Sequence, residues 1–304
     1  MTDPTFRPPA RTGPLPFFVL VDEAMRRVRQ NFRTIYPSIA IPLALLSTVS
    51  AVLQVLWMQR LFKESGGEVP NPLSMWSFET LGVGLLLGLG IVVGINALQK
   101  AAVDATAGRP VDLRQAWRFA VRPAVLGTLV LQFLLILGSM VFCLVPVLYV
   151  APLLSFVMPV MAEEGTFLGQ ALSRSAELTR YNPQKQFLDM PLVKSLALML
   201  IVVLLSYATA FLVGLVFQLP MLIDIFRKAS AGAEPGLEAM TKWAWLQIPS
   251  QLIQVLLNVV LYMYSAFGFA LLYFDTRNRK EGADLAAEID TVFGPGAPAG
   301  EPAP

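Results

Sequence analysis

The stretch Pro123–Ala162, PAVLGTLVLQFLLILGSMVFCLVPVLYVAPLLSFVMPVMA, contains no Asp, Glu, Lys or Arg in forty residues. A helix crosses the hydrocarbon core of a bilayer with about 20 apolar residues, so this segment is long enough to cross twice. Pro146 lies near its middle, and a proline there can break a helix and turn the chain back. The sequence therefore predicts a tight transmembrane hairpin with spans at 123–143 and 146–162.

The composition of the whole chain agrees with a membrane protein. Of its 304 residues, 55% are hydrophobic and only 14% are charged, whereas about 25% are charged in a typical soluble domain. The formal net charge of +2 is too small to indicate binding to nucleic acid. We therefore expect an all-α, polytopic integral membrane protein that has the lipid bilayer as its first partner.

Two residue types that carry much of enzyme chemistry are scarce. The chain has no histidine, the commonest general base and metal ligand. Its one cysteine, Cys143, lies inside a predicted span, where a small apolar packing role is expected. No GxSxG, HExxH or Walker lysine motif occurs either. We expect no enzyme activity, no catalytic residue, no metal and no cofactor.

Four further apolar runs predict the remaining spans, at 34–58, 75–99, 192–219 and 246–273. With the central pair they give about six transmembrane helices arranged as three hairpins. This membrane domain covers 17–285, between a proline-rich leader at 1–16 and a low-complexity tail at 286–304, both expected to be disordered. The first apolar run after the leader is too short for a signal peptide, so the first span is expected to serve as an uncleaved insertion signal.

An amphipathic segment precedes each predicted hairpin. In 17–33 the apolar residues recur at helical spacing and are expected to lie in the headgroup layer; they are Phe17, Leu20, Val21, Ala24, Met25, Val28 and Phe32. In 100–122, Asp112 and Gln115 have capping-box spacing, and an apolar face is expected from Leu113, Trp117 and Val121. In 163–189 one face is expected from Leu168, Ala171, Leu172 and Leu178.

The distribution of charge predicts an orientation in the membrane. Of the 23 Lys and Arg residues, 18 fall in the segments proposed as cytoplasmic, and the others are Arg60, Lys63, Arg227, Lys228 and Lys242. Cytoplasmic loops carry such an excess of basic residues. Trp57, Trp76, Trp243 and Trp245 fall at the opposite ends of spans, as an aromatic belt would. We expect a bacterial inner-membrane protein with both termini in the cytoplasm.

Basic clusters flank the membrane domain at both ends. The first contains Arg26, Arg27, Arg29 and Arg33, and the second contains Arg277, Arg279 and Lys280. Topology-setting charge at the membrane surface accounts for both. A sharper interpretation, compatible with the first, is that they bind anionic lipid headgroups or an acidic cytoplasmic partner.

Polar and small residues inside the spans have two interpretations each. Glu79, Gln54, Gln132, Asn96 and Asn258 could line a transport path or form hydrogen bonds between helices. In the predicted span 75–99, close helix packing is expected at Gly84, Gly88, Gly90 and Gly94. The pair Glu163 and Glu164 points in directions about 100° apart on a helix, so a membrane boundary is favoured over a catalytic pair.

Two stretches resemble a known bacterial family. They are VPVLYVAPLLSFVMPVMAEEGTFLGQALSRSAELTR (145–180) and ALLYFDTRNRKEGADL (270–285), together with Gly108-Arg109-Pro110-Val111. They resemble the membrane domain found beside bacterial glycerophosphodiester phosphodiesterases, which also occurs alone. The resemblance covers most of 17–285 and implies a multi-helix membrane domain. The soluble phosphodiesterase barrel is not part of this sequence, so the resemblance implies no activity.

These observations favour a non-enzymatic membrane protein that acts as a scaffold, an accessory subunit or a lipid-contacting module. Its partner would be a membrane or cytoplasmic protein. The alternative is a small transporter or permease subunit that uses the polar residues of the spans.

Overall fold

A computed structural model describes residues 15–64, 78–141, 144–180, 189–230 and 242–282. Within these ranges the chain is helical and contains no strand. The helices are α1 Phe17–Glu64, α2 Phe78–Thr106, α3 Leu113–Ala120, α4 Pro123–Val141, α5 Leu144–Leu153, α6 Val157–Glu164, α7 Leu168–Thr179, α8 Pro191–Ser230 and α9 Gln247–Glu281, with a 3-10 turn at Ala244–Leu246.

Four segments are long and apolar enough to cross a membrane, and they are Phe17–Leu61, Pro146–Glu164, Pro191–Lys228 and Ala244–Glu281. A fifth is counted if α3 and Pro123–Ser139, which meet at a bend of 58°, form one span. The structure thus confirms the predicted all-α class, and it shows four or five candidate spans among the described residues. The remaining predicted span, 75–99, begins at residues that the structure does not describe. Cys143, the tail at 286–304 and nearly all of the leader at 1–16 also lie outside the described residues.

The described chain forms two compact units. The first contains the chain up to Arg26, then Gly127–Leu198 and the chain from Gly268 onward, and the second contains Arg27–Leu126 and Met199–Phe267. Fully buried large side chains of the first unit include Phe156, Met161, Leu178, Leu198 and Tyr273. Those of the second include Ile35, Ile39, Leu98, Met263 and Phe267.

The first helix differs from the prediction. Residues 17–33 were expected to form a separate surface helix, but α1 runs without interruption through 48 residues, about 72 Å at 1.5 Å per residue. Its buried side chains continue as one stripe: Leu20, Ala24, Val28, Ile35, Ile39 and Leu43. Of the predicted membrane-facing side, Met25 and Phe32 are exposed. The sequence has no glycine between residues 17 and 64 that could end a helix. Because one apolar stripe runs through both the predicted surface helix and the predicted span, the two form a single helix.

The fourth predicted span is broken rather than continuous. Helix α5 ends at Leu153 and α6 begins at Val157. Pro152 lies in the last turn of α5, where it supplies no N–H for the helical ladder. Pro146, which was expected to end a helix, lies in the first turn of α5, where a missing N–H has no effect.

Candidate functional site

The first unit contains a cluster of charged side chains where α6, α7 and the end of α9 meet. Four carboxylates and three cationic groups take part, and they are Glu163, Glu164, Glu177, Glu281, Arg174, Arg277 and Lys280. Tyr273 joins them through its hydroxyl. We name these eight residues the charged cluster.

Arg174 is the centre of the charged cluster. Its Nε donates to both carboxylate oxygens of Glu164, at 3.1 and 3.3 Å. One terminal nitrogen donates to Glu177 at 3.3 Å, and the other contacts Glu281. One guanidinium therefore connects the end of α6 and the end of α9 to α7, as its rigid fork of donors allows.

The end of α9 adds further contacts to the charged cluster. The Tyr273 hydroxyl donates to Glu164 Oε1 at 2.9 Å. Arg277 donates to Glu281 at 2.9 Å and lies 3.8 Å from Glu163. Lys280 donates to Glu177. In each ion pair a carboxylate lies beside an arginine or a lysine, so much of the charge is neutralised within the charged cluster.

Opposite charge also controls proton affinity at α7. Burial by itself would lower the pKa of Arg174, but the hydrogen bond and charge of Glu164 outweigh it and raise that pKa above its ordinary value. The hydrogen bond from Lys280 lowers the pKa of Glu177. Both groups therefore stay ionised near neutral pH, and neither pKa is moved toward the value of a general acid or base at that pH.

The same helix supports the break between α5 and α6. Ser175 Oγ donates to the Leu153 carbonyl at 2.8 Å and accepts from the Phe156 N–H at 3.1 Å. Thr179 donates to the Ser175 carbonyl at 2.8 Å and approaches the Leu153 carbonyl at 3.3 Å. All of these groups are buried. Buried backbone groups outside a regular helix require such partners, because a buried polar group without a hydrogen bond is costly.

The structure separates the predicted basic residues into two groups. Arg277 and Lys280 belong to the charged cluster, and Arg279 pairs with Asp275 at 2.9 Å. The predicted lipid-binding surface at the end of α9 is therefore largely occupied by carboxylates of the chain itself. In α1, Arg26 pairs with Glu23, whereas Arg27 donates to the Ala105 carbonyl at 3.3 Å. Arg29 and Arg33 are exposed.

Two of the polar residues predicted in the spans, Gln54 and Asn258, accept hydrogen bonds from side chains of α9, the first between helices and the second within α9 itself. In the second unit, Gln54 accepts from Gln251 at 3.2 Å. Asn258 accepts from Gln254 at 3.1 Å, and Gln254 also donates to Thr209 at 3.3 Å.

Two other predicted polar residues differ in their contacts. Gln132, in the first unit, donates to the Leu154 carbonyl at 3.3 Å, next to the helix break. Asn96 is buried, and its Nδ2 has no hydrogen-bond partner among the described residues. Glu79 lies in α2, and its side chain is outside the described part.

The four glycines of α2 differ in how closely α1 approaches them. A Cβ at Gly94 would lie 2.9 Å from Leu43 Cδ2, and one at Gly90 would overlap Leu46 Cδ2, so both glycines allow α1 to approach α2. A Cβ at Gly84 or Gly88 would meet no atom of the described residues within 4 Å. Close packing is thus observed at two of the four positions.

Sequence reasoning singled out four of the eight residues of the charged cluster but did not predict that they pair. Glu163 and Glu164 were interpreted as a boundary, but Glu164 is the main partner of Arg174. The sequence places Arg174 and Glu177 on the polar face of an amphipathic segment, whereas Ser175 and Thr179 stand out only as parts of the motif quoted for the resemblance. The sequence shows only that α6, α7 and α9 carry charges of opposite sign. Because α9 is far from α6 and α7 in the chain, their spacing does not predict which charges pair.

Among the described residues, no group of three His, Cys, Asp or Glu side chains could hold a metal ion. Comparisons of this chain with protein-family models, with curated proteins and with solved structures found no match.

Proposed function

We propose that this chain is a non-enzymatic, multi-pass protein of the bacterial cytoplasmic membrane, with both termini in the cytoplasm. It acts as a scaffold or accessory subunit and presents its surface helices to a partner. The observation that supports this proposal is that side-chain contacts hold α7 in place against α6, α9 and the break after α5. Its inner face is held by Arg174 and Ser175, and its outer face leaves Gln170, Ser173 and Arg180 exposed.

A rigid helix with one exposed polar face is suited to recognition. The contacts of Arg174 use its charge to hold helices together, and the polar groups at the helix break are satisfied by the same helix. Little ordering of α7 is then needed when a partner binds, which favours affinity. The resemblance to a domain that accompanies a separate enzyme supports an accessory role.

Purification in mild detergent from native membranes, followed by mass spectrometry, tests the proposal. A protein should co-purify in stoichiometric amount with the unaltered chain and be lost with Ser173→Arg, which alters only the exposed face. The matched control is Arg227→Glu on α8, which should retain the partner. If the unaltered chain elutes without a protein partner, the scaffold proposal is rejected.

A small transporter or permease subunit is the second candidate. The polar contacts of Gln54, Gln251 and Gln254 and the unpartnered amide of Asn96 favour it, because buried polar groups that lack a partner are rare. Glu79→Gln should then abolish a cellular phenotype without loss of protein from the membrane, and solute uptake by proteoliposomes should fall with it. Unchanged uptake in that variant would argue against this candidate.

A further inference from the structure

The short helix α3 has three distinct faces. Its buried residues are Ala116, Phe119 and Ala120. Leu113 and Trp117 are half-buried, and Val121 is 53% exposed. Arg114 and Arg118 are exposed. With 100° between successive residues, the two arginines point directly away from the buried face, and the partly exposed apolar residues lie between those two sides.

The carboxylates nearest in sequence to these arginines are already engaged. Asp112 caps α3, and its Oδ1 accepts from the backbone N–H groups of Arg114 and Gln115 at 2.9 and 3.2 Å, as the capping-box spacing predicts. Asp104 is paired with Lys100 and Arg109, each at 2.8 Å. In the part of the chain that the structure describes, the side chains of Arg114 and Arg118 form no ion pair.

The buried face of α3 is held in place by contacts that do not involve Arg114 or Arg118. Helix α3 packs against α2. The Phe119 ring lies under two cations, Lys100 at 5.9 Å and Arg122 at 5.8 Å from its centroid. Cation–π contacts of this kind stabilise the ring in its position. The exposed side of α3 is therefore presented in a defined orientation rather than as a mobile loop.

The connection to α4 adds a geometric argument. Helix α3 meets the apolar segment Pro123–Ser139 at a bend of 58°, and because Arg114 and Arg118 are exposed on it we treat α3 as a separate helix and not as part of a span. A helix that bends away from a span at its end, with Trp beside apolar residues and Arg beyond them, has the arrangement of an interfacial helix. Tryptophan prefers the headgroup level, and arginine reaches from there to phosphate oxygens, which its fork of donors matches.

We propose that the exposed side of α3 binds the headgroup of an anionic phospholipid, with Arg114 and Arg118 at the phosphate and Leu113, Trp117 and Val121 against the acyl chains. This site differs from the basic clusters at the ends of the membrane domain, where carboxylates of the chain pair with several of the bases. The inference rests on the proposed membrane location and gives the lipid-contacting surface a specific ligand class.

Quenching of Trp117 fluorescence by brominated lipids tests this site. The chain has five tryptophans, so the replacements Trp57→Phe, Trp76→Phe, Trp243→Phe and Trp245→Phe leave Trp117 as the only one. The protein is reconstituted in phosphatidylcholine vesicles that contain either dibrominated phosphatidylglycerol or dibrominated phosphatidylcholine. We expect stronger quenching by the anionic lipid. The excess should decline as sodium chloride rises from about 0.1 M to about 1 M, because the Debye length then falls from about 10 Å to about 3 Å.

Removing the arginines should remove the preference. The variant Arg114→Gln with Arg118→Gln should lose about fivefold in the relative binding constant for phosphatidylglycerol for each arginine. The matched control is Arg180→Gln with Arg227→Gln, which removes two exposed arginines from other helices and should keep the preference. Native mass spectrometry of lipids retained by the protein with all five tryptophans provides a second measurement that does not depend on the tryptophan replacements.

The possible outcomes separate this inference from the proposed function. Equal quenching by the two lipids would overturn the anionic site while leaving a membrane-contacting helix. Absence of quenching by either lipid would overturn both the site and the interfacial position of α3. If inorganic phosphate removed the preference where sodium chloride of equal ionic strength did not, a site for free phosphate would replace the lipid site.

Discussion

At the scale of single residues, Arg174 is the side chain on which the charged cluster depends. Replacement by glutamine would leave Glu164, whose side chain is 15% exposed, with Tyr273 as its remaining close donor. Loss of a partner from a partly buried ion pair costs about 1–3 kcal/mol. We expect Arg174→Gln to lower the melting temperature in mild detergent, measured by intrinsic fluorescence.

Arg180→Gln is the control for this prediction, because Arg180 is exposed at the end of the same helix. It should change the free energy of unfolding by about 0.5 kcal/mol or less. In the double variant with Glu164→Gln, the effect of Arg174→Gln should shrink, as expected for residues in contact. Additive effects, or equal effects at Arg174 and Arg180, would contradict the assigned role.

The sequence alone could place these charges near a membrane surface but could not pair them. The adjacency of Glu163 and Glu164 suggested a boundary, since neighbouring residues on one helix do not converge. Their partners are 10 and more than 100 positions away, and such pairing depends on how α6, α7 and α9 pack. Asp112 was predictable because its partners are two and three residues along the chain.

At the scale of helices, α7 supports the break between α5 and α6, and the support depends on one hydroxyl. Ser175→Ala removes the acceptor for the Phe156 N–H, whereas the Leu153 carbonyl keeps Thr179 as a donor. One buried backbone group without a partner costs about 1–3 kcal/mol. We expect that loss of stability in detergent, measured by thermal unfolding.

Ser173→Ala on the exposed side of α7 is the matched control, since it makes the same chemical change without altering these contacts. It should leave the melting temperature nearly unchanged. A similar decrease for both serine variants would mean that the break does not depend on Ser175. The break itself could not be located from the sequence, because Pro146, Pro152 and Pro159 are equivalent signals until the position of α7 is known.

Helix packing in the second unit predicts that alanine will change stability in opposite directions at two glycines of α2. Alanine in a helix interior is about 0.5–1 kcal/mol more favourable than glycine, so Gly88→Ala, with open space around it, should stabilise α2. At Gly94 the added Cβ would meet Leu43, which is buried and 2.9 Å away. Overpacking costs about 1–3 kcal/mol, so Gly94→Ala should destabilise.

Thermal unfolding of the two glycine variants in the same detergent measures this difference. A gain at both positions would show that α1 can move away from α2 without penalty. The small-residue pattern predicted close packing for four glycines, but only the approach of α1 separates Gly90 and Gly94 from Gly84 and Gly88. Periodicity identifies candidate contact positions, and the partner helix decides which of them are used.

At the scale of the whole molecule, the long helices extend beyond any single bilayer crossing. Helix α8 has 40 residues, about 60 Å, whereas the hydrocarbon core is about 30 Å thick. Only 6% of its most apolar stretch is buried, compared with 39 to 56% in the other candidate spans. Its end at Arg227 and Lys228 is therefore expected in water, on the side opposite the basic segments.

Cysteine labelling tests this orientation. On a Cys143→Ala background, which removes the only native thiol, single cysteines replace Arg227 on α8, Arg118 on α3 and Ser173 on α7, all of them exposed. A membrane-impermeant maleimide should label the Arg227→Cys variant in intact spheroplasts. The other two should react only after permeabilisation. In the proposed topology α3 and α7 lie on the cytoplasmic side, together with 18 of the 23 basic residues. Labelling of Ser173→Cys in intact spheroplasts would reverse the proposed topology and place the exposed face of α7 away from cytoplasmic partners.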